Sequence, residues 1–270
     1  MDFYSMFLLT FLSNCFYFAG ARQFRVTDQV YLDIHREDKP LGRVVIGLFG
    51  DLAPKAVKNF KVLATKGVDG KSYKGTSFNR IIKRFMVQGG DVVSDDGLGS
   101  ISIYGETFED ENLDTQHTMA GFVSMANKGR DTNGCQFLIT TTGTPWLDKL
   151  HTVIGRVVDG QNVVHMLEHT PTDVDDRPTV RAYIADSGEL PTAQPFYISD
   201  DPYEEIAAAR RSNRGVMLAA AAASGDAPGL EPPVAAESGA RCSAAAPHAF
   251  SQDAHRRHTS HAELGTGWKN

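Results

Sequence analysis

The chain has 270 residues, 41% of them hydrophobic and 9% aromatic, which suffices for one medium domain with extensions or two small domains with real cores. A net charge of -6 and a pI near 5.8, with no cluster of Lys and Arg outside the far tail, argue against nucleic-acid binding. The three cysteines, Cys15, Cys135 and Cys242, fall one each in the leader, the body and the tail, so they exclude a disulfide framework.

Residues 1–21 read as a signal peptide. An apolar run from Met6 to Leu12 and Phe16-Tyr17-Phe18 is followed by Ala19-Gly20-Ala21, a small-residue cleavage pattern that would make Arg22 the first mature residue. No Lys or Arg precedes the run, only Asp2, which leaves an uncleaved anchor open as the alternative. No later segment is long and apolar enough to span a bilayer, so no clear membrane anchor is expected.

From Gln29, the alternation of Val30, Leu32 and Ile34 with polar neighbours, a turn over Arg36 to Pro40, and a second alternation at Val44, Ile46 and Leu48 predict a two-stranded hairpin. Pro54 suits a first helical turn, and Val57, Phe60, Leu63 and Ala64 share one helical face, so a helix is expected to about Thr65, before Gly67. Phe78 to Asp91 then places Arg80, Ile82, Arg84, Met86 and Gln88 at one parity, and Ile81, Phe85 and Val87 at the other. By itself that run fits a solvated edge strand as well as a binding wall.

Short apolar runs at Gly121–Ala126, Gln136–Thr142 and His151–Val158, each bounded by turn residues, suggest an antiparallel barrel. Asn133-Gly134 reads as a turn, Gly160 to Glu168 as a second short helix through Val163, Val164 and Leu167, and Val180 to Ala185 as the closing strand. After the body, residues 193–270 form a tail. Beyond Tyr203 it holds Arg210-Arg211, an alanine run from Ala219 to Ala223, and a Gly/Pro/Ser/Ala mixture expected to be disordered.

The common cofactor and metal motifs are missing. No Gly-rich loop leads into Lys-Ser/Thr, no Cys-x-x-Cys or H-E-x-x-H occurs, and Gly97-Leu98-Gly99 is too short for a dinucleotide fingerprint. Glu106, Glu109, Asp110 and Glu111, like Asp173, Asp175 and Asp176, lack EF-hand spacing and read as solvated loop acids. His248, His255, His258 and His261 of the tail are irregularly spaced, so no metal site is expected there. Cys135, between Gly134 and Gln136, has no neighbouring base and reads as a buried thiol.

Six blocks, in order, carry a specific resemblance: Phe78 to Asp91; Ser102-Ile103-Tyr104-Gly105-Glu106; Phe108-Glu109-Asp110-Glu111-Asn112; Ser124-Met125-Ala126-Asn127; Thr132-Asn133-Gly134-Cys135-Gln136-Phe137; and Trp146-Leu147-Asp148. Together they resemble the cyclophilin family, over roughly Val26 to Leu190 and a domain of 22–192. The resemblance implies a mainly β fold, a closed eight-stranded antiparallel barrel capped by two helices. It also implies peptidyl-prolyl cis-trans isomerase activity with no metal or organic cofactor, in a monomer that takes proline-containing client polypeptides.

By that resemblance Arg80, Gln88 and Asn127 are the catalytic set: Arg80 donates to the imide nitrogen, while Gln88 and the Asn127 backbone hold the neighbouring peptide. Phe85, Met86, Gly97, Ala126, Gln136, Leu138, Trp146, Leu147 and His151 form the substrate groove, and Trp146 is where cyclosporin sensitivity is usually decided, so a cyclosporin-type inhibitor is expected to bind. Taken singly, the apolar members could equally be core residues and His151 a turn residue.

The chain departs from the family pattern at three places. Leu138 stands where a second pocket phenylalanine is usual, and losing a ring contact of about 1 kcal/mol weakens binding roughly fivefold. Asn79 replaces a histidine and should point away from Arg80. Lys149-Leu150 replaces Gly-Lys ahead of His151, a change that bears on the loop. The signal-like start, Val68 to Tyr73, Gly99 to Gly105, and Gly188 to Asp201 resemble the insect photoreceptor cyclophilins that escort rhodopsin, which implies the endoplasmic reticulum lumen and the secretory pathway. That subfamily ends in a membrane anchor, whereas this tail is an Ala, Arg and Pro mixture. A non-catalytic escort for proline segments is the alternative function.

Overall fold

In the computed structural model the described residues are 22–201; the expected leader and most of the expected tail lie outside them. After β1 (Gln23–Val26) the expected two-stranded hairpin forms, with β2 (Asp28–Arg36) paired to β3 (Lys39–Leu48). Val30, Leu32 and Ile34 of β2 and Val44, Ile46 and Leu48 of β3 are all buried, as strand alternation with one face on a core requires. α1 (Pro54–Ala64) starts on its proline and buries Ala56, Val57, Asn59, Phe60, Leu63 and Ala64. Phe60 meets Tyr73 at 5.1 Å and Phe137 at 5.2 Å between ring centroids, a cluster in which each fully buried ring contributes roughly 1.5–3 kcal/mol.

The remaining strands are β4 (Phe78–Ile82), β5 (Met86–Gly89), β6 (Phe122–Met125), β7 (Phe137–Thr140), β8 (Val153–Asp159), β9 (Ala182–Leu190) and β10 (Phe196–Ser199), with α2 (Gln161–Glu168) after β8. Eight strands form one antiparallel sheet in the order β4-β5-β7-β6-β8-β3-β2-β9. It curls until its ends nearly meet: Gly75 donates to the Ile184 carbonyl at 2.7 Å, Ile184 to that of Thr76 at 2.9 Å, and Ser77 bridges Tyr183. α1 packs against β2, β8 and β9, and α2 against β3 and β5. The fold is therefore the mainly β, nearly closed barrel with two helices that the resemblance implied.

Four local readings are corrected. Phe78 to Asp91 is a hairpin of two strands rather than one, because Arg84 turns the chain at φ 58. Phe85 consequently leaves the interior face that its parity assigned, whereas Ile81 and Val87 keep it. Asn133-Gly134 is no tight turn: Asn133 is fully buried and bridges Phe108, and a Cβ at Gly134 would lie 2.1 Å from Ser100 Oγ and force that hydroxyl aside. Phe196–Ser199, assigned by sequence to the tail, forms β10 and pairs with β1, so the ordered body passes the boundary expected at residue 192. Its Phe196 and Ile198 supply the apolar alternation that a short edge ribbon needs.

Among the described residues no helix is long and apolar enough to cross a membrane. Cys135 is buried and unpaired with another cysteine, and burial pushes its thiol up, in keeping with an inert core residue.

Candidate active site

The β4–β5 hairpin and β7 each turn one face into the barrel and the other outward. Phe78, Ile81, Val87, Phe137 and Ile139 enter the main core. Met86 and Leu138 face out, where they pack with Leu147, Ile82 and Phe85 as a separate apolar cluster. Phe85 lies 5.4 Å from the ring of Trp146, which stands at the rim and is 55% exposed. Five expected groove residues, Phe85, Met86, Leu138, Trp146 and Leu147, thus converge although they come from three separate chain segments.

Beside this cluster is a cleft of about 290 Å³ whose lining includes Gln88, Gly97, Ala126, Asn127 and Gln136. Cross-strand register explains the adjacency, because Gln88 sits opposite Leu138 on one side and opposite Arg80 on the other. Gln88 Nε2 donates to Gln136 Oε1 at 3.0 Å, and Gln136 Nε2 donates to the carbonyls of Gly97 at 3.0 Å and Gly99 at 2.8 Å. This relay sets the amide orientations, leaving the Gln88 carbonyl oxygen directed away from Gln136. The Ala126 amide donates to the Gln136 carbonyl at 3.0 Å.

His151 donates from Nδ1 to the Met125 carbonyl at 3.0 Å, which fixes the orientation of the ring. Asn127 Nδ2 donates to the Leu150 carbonyl at 2.8 Å and so ties the loop that carries His151 to the end of β6. Lys149 absorbs its replacement of glycine by taking φ 63, a left-handed conformation that costs a residue with a Cβ about 1–2 kcal/mol. Asn79 lies against Gly97, and its Nδ2 is buried without a hydrogen-bond partner.

Arg80 is half-exposed and does not reach into the cleft. Its Nε and Nη2 donate to Asp176 Oδ2 at 3.2 and 3.1 Å. Asp176 is therefore an ion-pair partner and not the solvated loop acid its spacing suggested. Both groups are substantially solvated, so the pair contributes at most about 1 kcal/mol and yields readily to another acceptor. Asp173 likewise has a structural task, accepting the amides of Asp175 and Arg177 at 2.9 Å each.

Three supporting residues escaped the sequence reading. The buried Asp91 carboxylate accepts the amides of Val93 (2.9 Å), Ser94 (3.1 Å), Gly97 (2.9 Å) and Gly99 (3.0 Å), and the Ser94 hydroxyl at 3.0 Å. Burial by itself would raise its pKa, but these donors outweigh burial and hold it well below the usual carboxylate range. Asp91 thereby shapes the loop whose Gly97 and Gly99 carbonyls orient Gln136. An Asp closing a Gly-Gly turn with Ser three residues on was the visible signal.

The other two are His117 and Asp148. His117 is 1% exposed; its Nδ1 meets Asp148 Oδ1 at 2.9 Å and its Nε2 meets Ser124 Oγ at 2.8 Å. Asp148 also accepts the His117 amide at 2.8 Å, which pins the segment bearing Trp146 and Leu147, a short 3-10 turn over Pro145–Leu147. Burial lowers the His117 pKa, with Asp148 opposing. Nothing in the local sequence of His117 signals this partner, which lies 31 positions away.

The family profile described as cyclophilin type peptidyl-prolyl cis-trans isomerase/CLD matches residues 31–189. The rhodopsin-specific isozyme of peptidyl-prolyl cis-trans isomerase from Calliphora vicina is 45% identical over 194 residues, covering 72% of this chain and 82% of that protein. Two proteins of Saccharomyces cerevisiae are similar at comparable levels. Peptidyl-prolyl cis-trans isomerase D is 46% identical over 62% of this chain and 74% of its own length, and isomerase B is 47% identical over 61% and 80%.

Proposed function

Because the chain belongs to the cyclophilin-type peptidyl-prolyl cis-trans isomerase family, we propose that the outer faces of β4, β5 and β7 form its catalytic groove, with Arg80 as the group that acts on the prolyl nitrogen. The reaction explains why no acid-base pair is needed. Its barrier of about 18–20 kcal/mol is amide resonance, and a twisted bond restores the lone pair on the imide nitrogen. A donor that meets this lone pair only in the twisted state lowers the barrier without transferring a proton.

In this reading the proline ring sits on Met86, Leu138 and Leu147 between Phe85 and His151, with Trp146 at the rim. Gln88 and the Asn127 backbone hold the flanking peptide, and Gly97, Ala126 and Gln136 wall the adjoining cleft. Arg80 exchanges Asp176 for the substrate, a weak pair given up at little cost. The observation that carries the reading is the register of Arg80 with Gln88, itself opposite Leu138, which puts a cation, an amide and an apolar floor side by side. A prolyl-peptide exchange assay tests it: Arg80→Ala is expected to lose about 10²- to 10³-fold in kcat. If wild type and variant both exchange at the uncatalysed rate of tens to hundreds of seconds, the assignment fails.

The same proposal extends to setting and clients. The leader-like residues 1–21 and the similarity to a protein named for rhodopsin support folding of proline-containing clients in the secretory pathway, a rhodopsin-type client among them. Trp146 supports binding of a cyclosporin-type inhibitor. A second reading, an escort that binds proline segments without useful turnover, draws on the Arg80–Asp176 pair and on Leu138. It predicts that client maturation survives Arg80→Ala but not Phe85→Ala.

A further inference from the structure

α2 ends in a cluster that the isomerase groove does not use. His165, Glu168 and His169 occupy positions i, i+3 and i+4, hence one helical face, and one ligand atom from each lies within 4.8 Å of the other two. His165 Nδ1 is 3.3 Å and His169 Nδ1 is 4.0 Å from Glu168 Oε2, while the imidazole centroids are 4.4 Å apart. Zinc binds nitrogen and oxygen at about 2.0–2.2 Å, so two tetrahedral ligands stand about 3.4 Å apart. The first separation already matches. For His169 the nitrogen available to an ion is Nε2, because Nδ1 is engaged by the His165 carbonyl.

The carboxylate is built rather than incidental. Glu168 is 5% exposed on the otherwise apolar face of α2, and its Oε1 accepts the Arg84 amide at 2.5 Å, which fixes its direction and leaves Oε2 toward the imidazoles. His169 Nδ1 donates to the His165 carbonyl at 2.8 Å, the kind of outer hydrogen bond that orients a ligating imidazole and leaves Nε2 for the ion. Two histidines one helical turn apart with a carboxylate leave a fourth position to water.

We propose that His165, Glu168 and His169 form a divalent transition-metal site of the zinc class, on the side of α2 that touches the β4–β5 hairpin. Its position gives it consequence. Glu168 holds the Arg84 amide at the hairpin tip, and Arg84 immediately precedes Phe85, whose carbonyl accepts the Thr141 amide at 2.9 Å and whose ring faces Trp146. An ion there fastens α2 to the turn that presents one wall of the groove. The proposal stands on this cluster alone and does not depend on the roles assigned to Arg80 or Gln88.

The test is calorimetric titration of the untagged full chain with zinc chloride, beside the double variant His165→Ala, His169→Ala. The tail carries His248, His255, His258 and His261 in both proteins, so the difference isolates the helix site. Wild type is expected to bind one equivalent more, and in a paramagnetic nickel titration followed by NMR the amide signals of Arg84 and Phe85 are expected to broaden in wild type only. Circular dichroism of the variant confirms that it folds, since both histidines are exposed. Equal stoichiometry and affinity in the two proteins, or broadening of the Arg84 and Phe85 amides that persists in the variant, overturns the proposal.

Discussion

The barrel bears two apolar patches on its outside, and they meet different fates. One consists of Phe49, Phe122 and Val153, and the ribbon of β1 and β10 lies over it with Phe24, Val26, Phe196 and Ile198. Phe24 stacks on Phe49 at 4.9 Å and meets Phe122 edge-on at 5.7 Å. The other consists of the buried Met86, Leu138 and Leu147 with the half-buried Ile82 and Phe85 at its edge, and among the described residues no strand lies over it. Leu150 and Trp146 remain 59% and 55% exposed on the same loop. Similar residue types on similar strands thus lie beneath a ribbon in one case and beneath an exposed rim in the other. The exposed apolar rim at Trp146 beside positioned amides fits the groove proposed above, whereas the closed patch returns its burial energy as stability.

The comparison breaks most visibly at the covered patch. Phe24→Ala is expected to cost about 3–5 kcal/mol, read as a lower denaturant midpoint, while kcat/KM per folded molecule stays unchanged. A loss of isomerase activity in the folded variant would mean the two patches are coupled. Next in size is the response to acid. Asp91 has a depressed pKa in the folded state, so its stabilisation is complete above the unfolded value of about 3.9 and is lost as pH falls below it. Unfolding free energies of wild type between pH 5 and 2 should therefore fall more steeply than those of Asp91→Asn; parallel curves would remove Asp91 from the loop's support. The smallest effect belongs to the open patch: Leu138→Phe adds a ring contact of about 1 kcal/mol and is expected to tighten substrate roughly fivefold, seen as a lower KM.

Much of the fold was legible because its signals are local. Val30, Leu32 and Ile34 alternate within a single strand, and Pro54 with Val57, Phe60 and Leu63 marks a helix within three turns. Legibility failed where a side chain's meaning depends on a distant partner. Phe196 and Ile198 look like tail residues until β1 is beside them. Arg84 and Phe85 follow strand parity on paper, yet the Arg84 amide is taken by the Glu168 carboxylate of α2, 84 positions away, and the chain turns there.

The candidate site divides in the same way. Its membership was read from blocks of sequence that resemble one family, and of those residues Phe85, Met86, Leu138, Trp146 and Leu147 form one cluster beside the cleft lined by Gln88, Gly97, Ala126, Asn127 and Gln136. What the residues do to one another was not readable. Asp176, 96 positions from Arg80, is the acceptor of its guanidinium, and Gln136, 48 positions from Gln88, sets the orientation of its amide. By itself the sequence determined the barrel, its two helices and the family, because hydrophobic periodicity and short motifs act over a few residues. Only the tertiary structure decided which apolar patch is covered, where Arg80 points and that Glu168 of α2 holds the tip of the β4–β5 hairpin, because hydrogen-bond partners and burial are properties of elements brought together, not of elements alone.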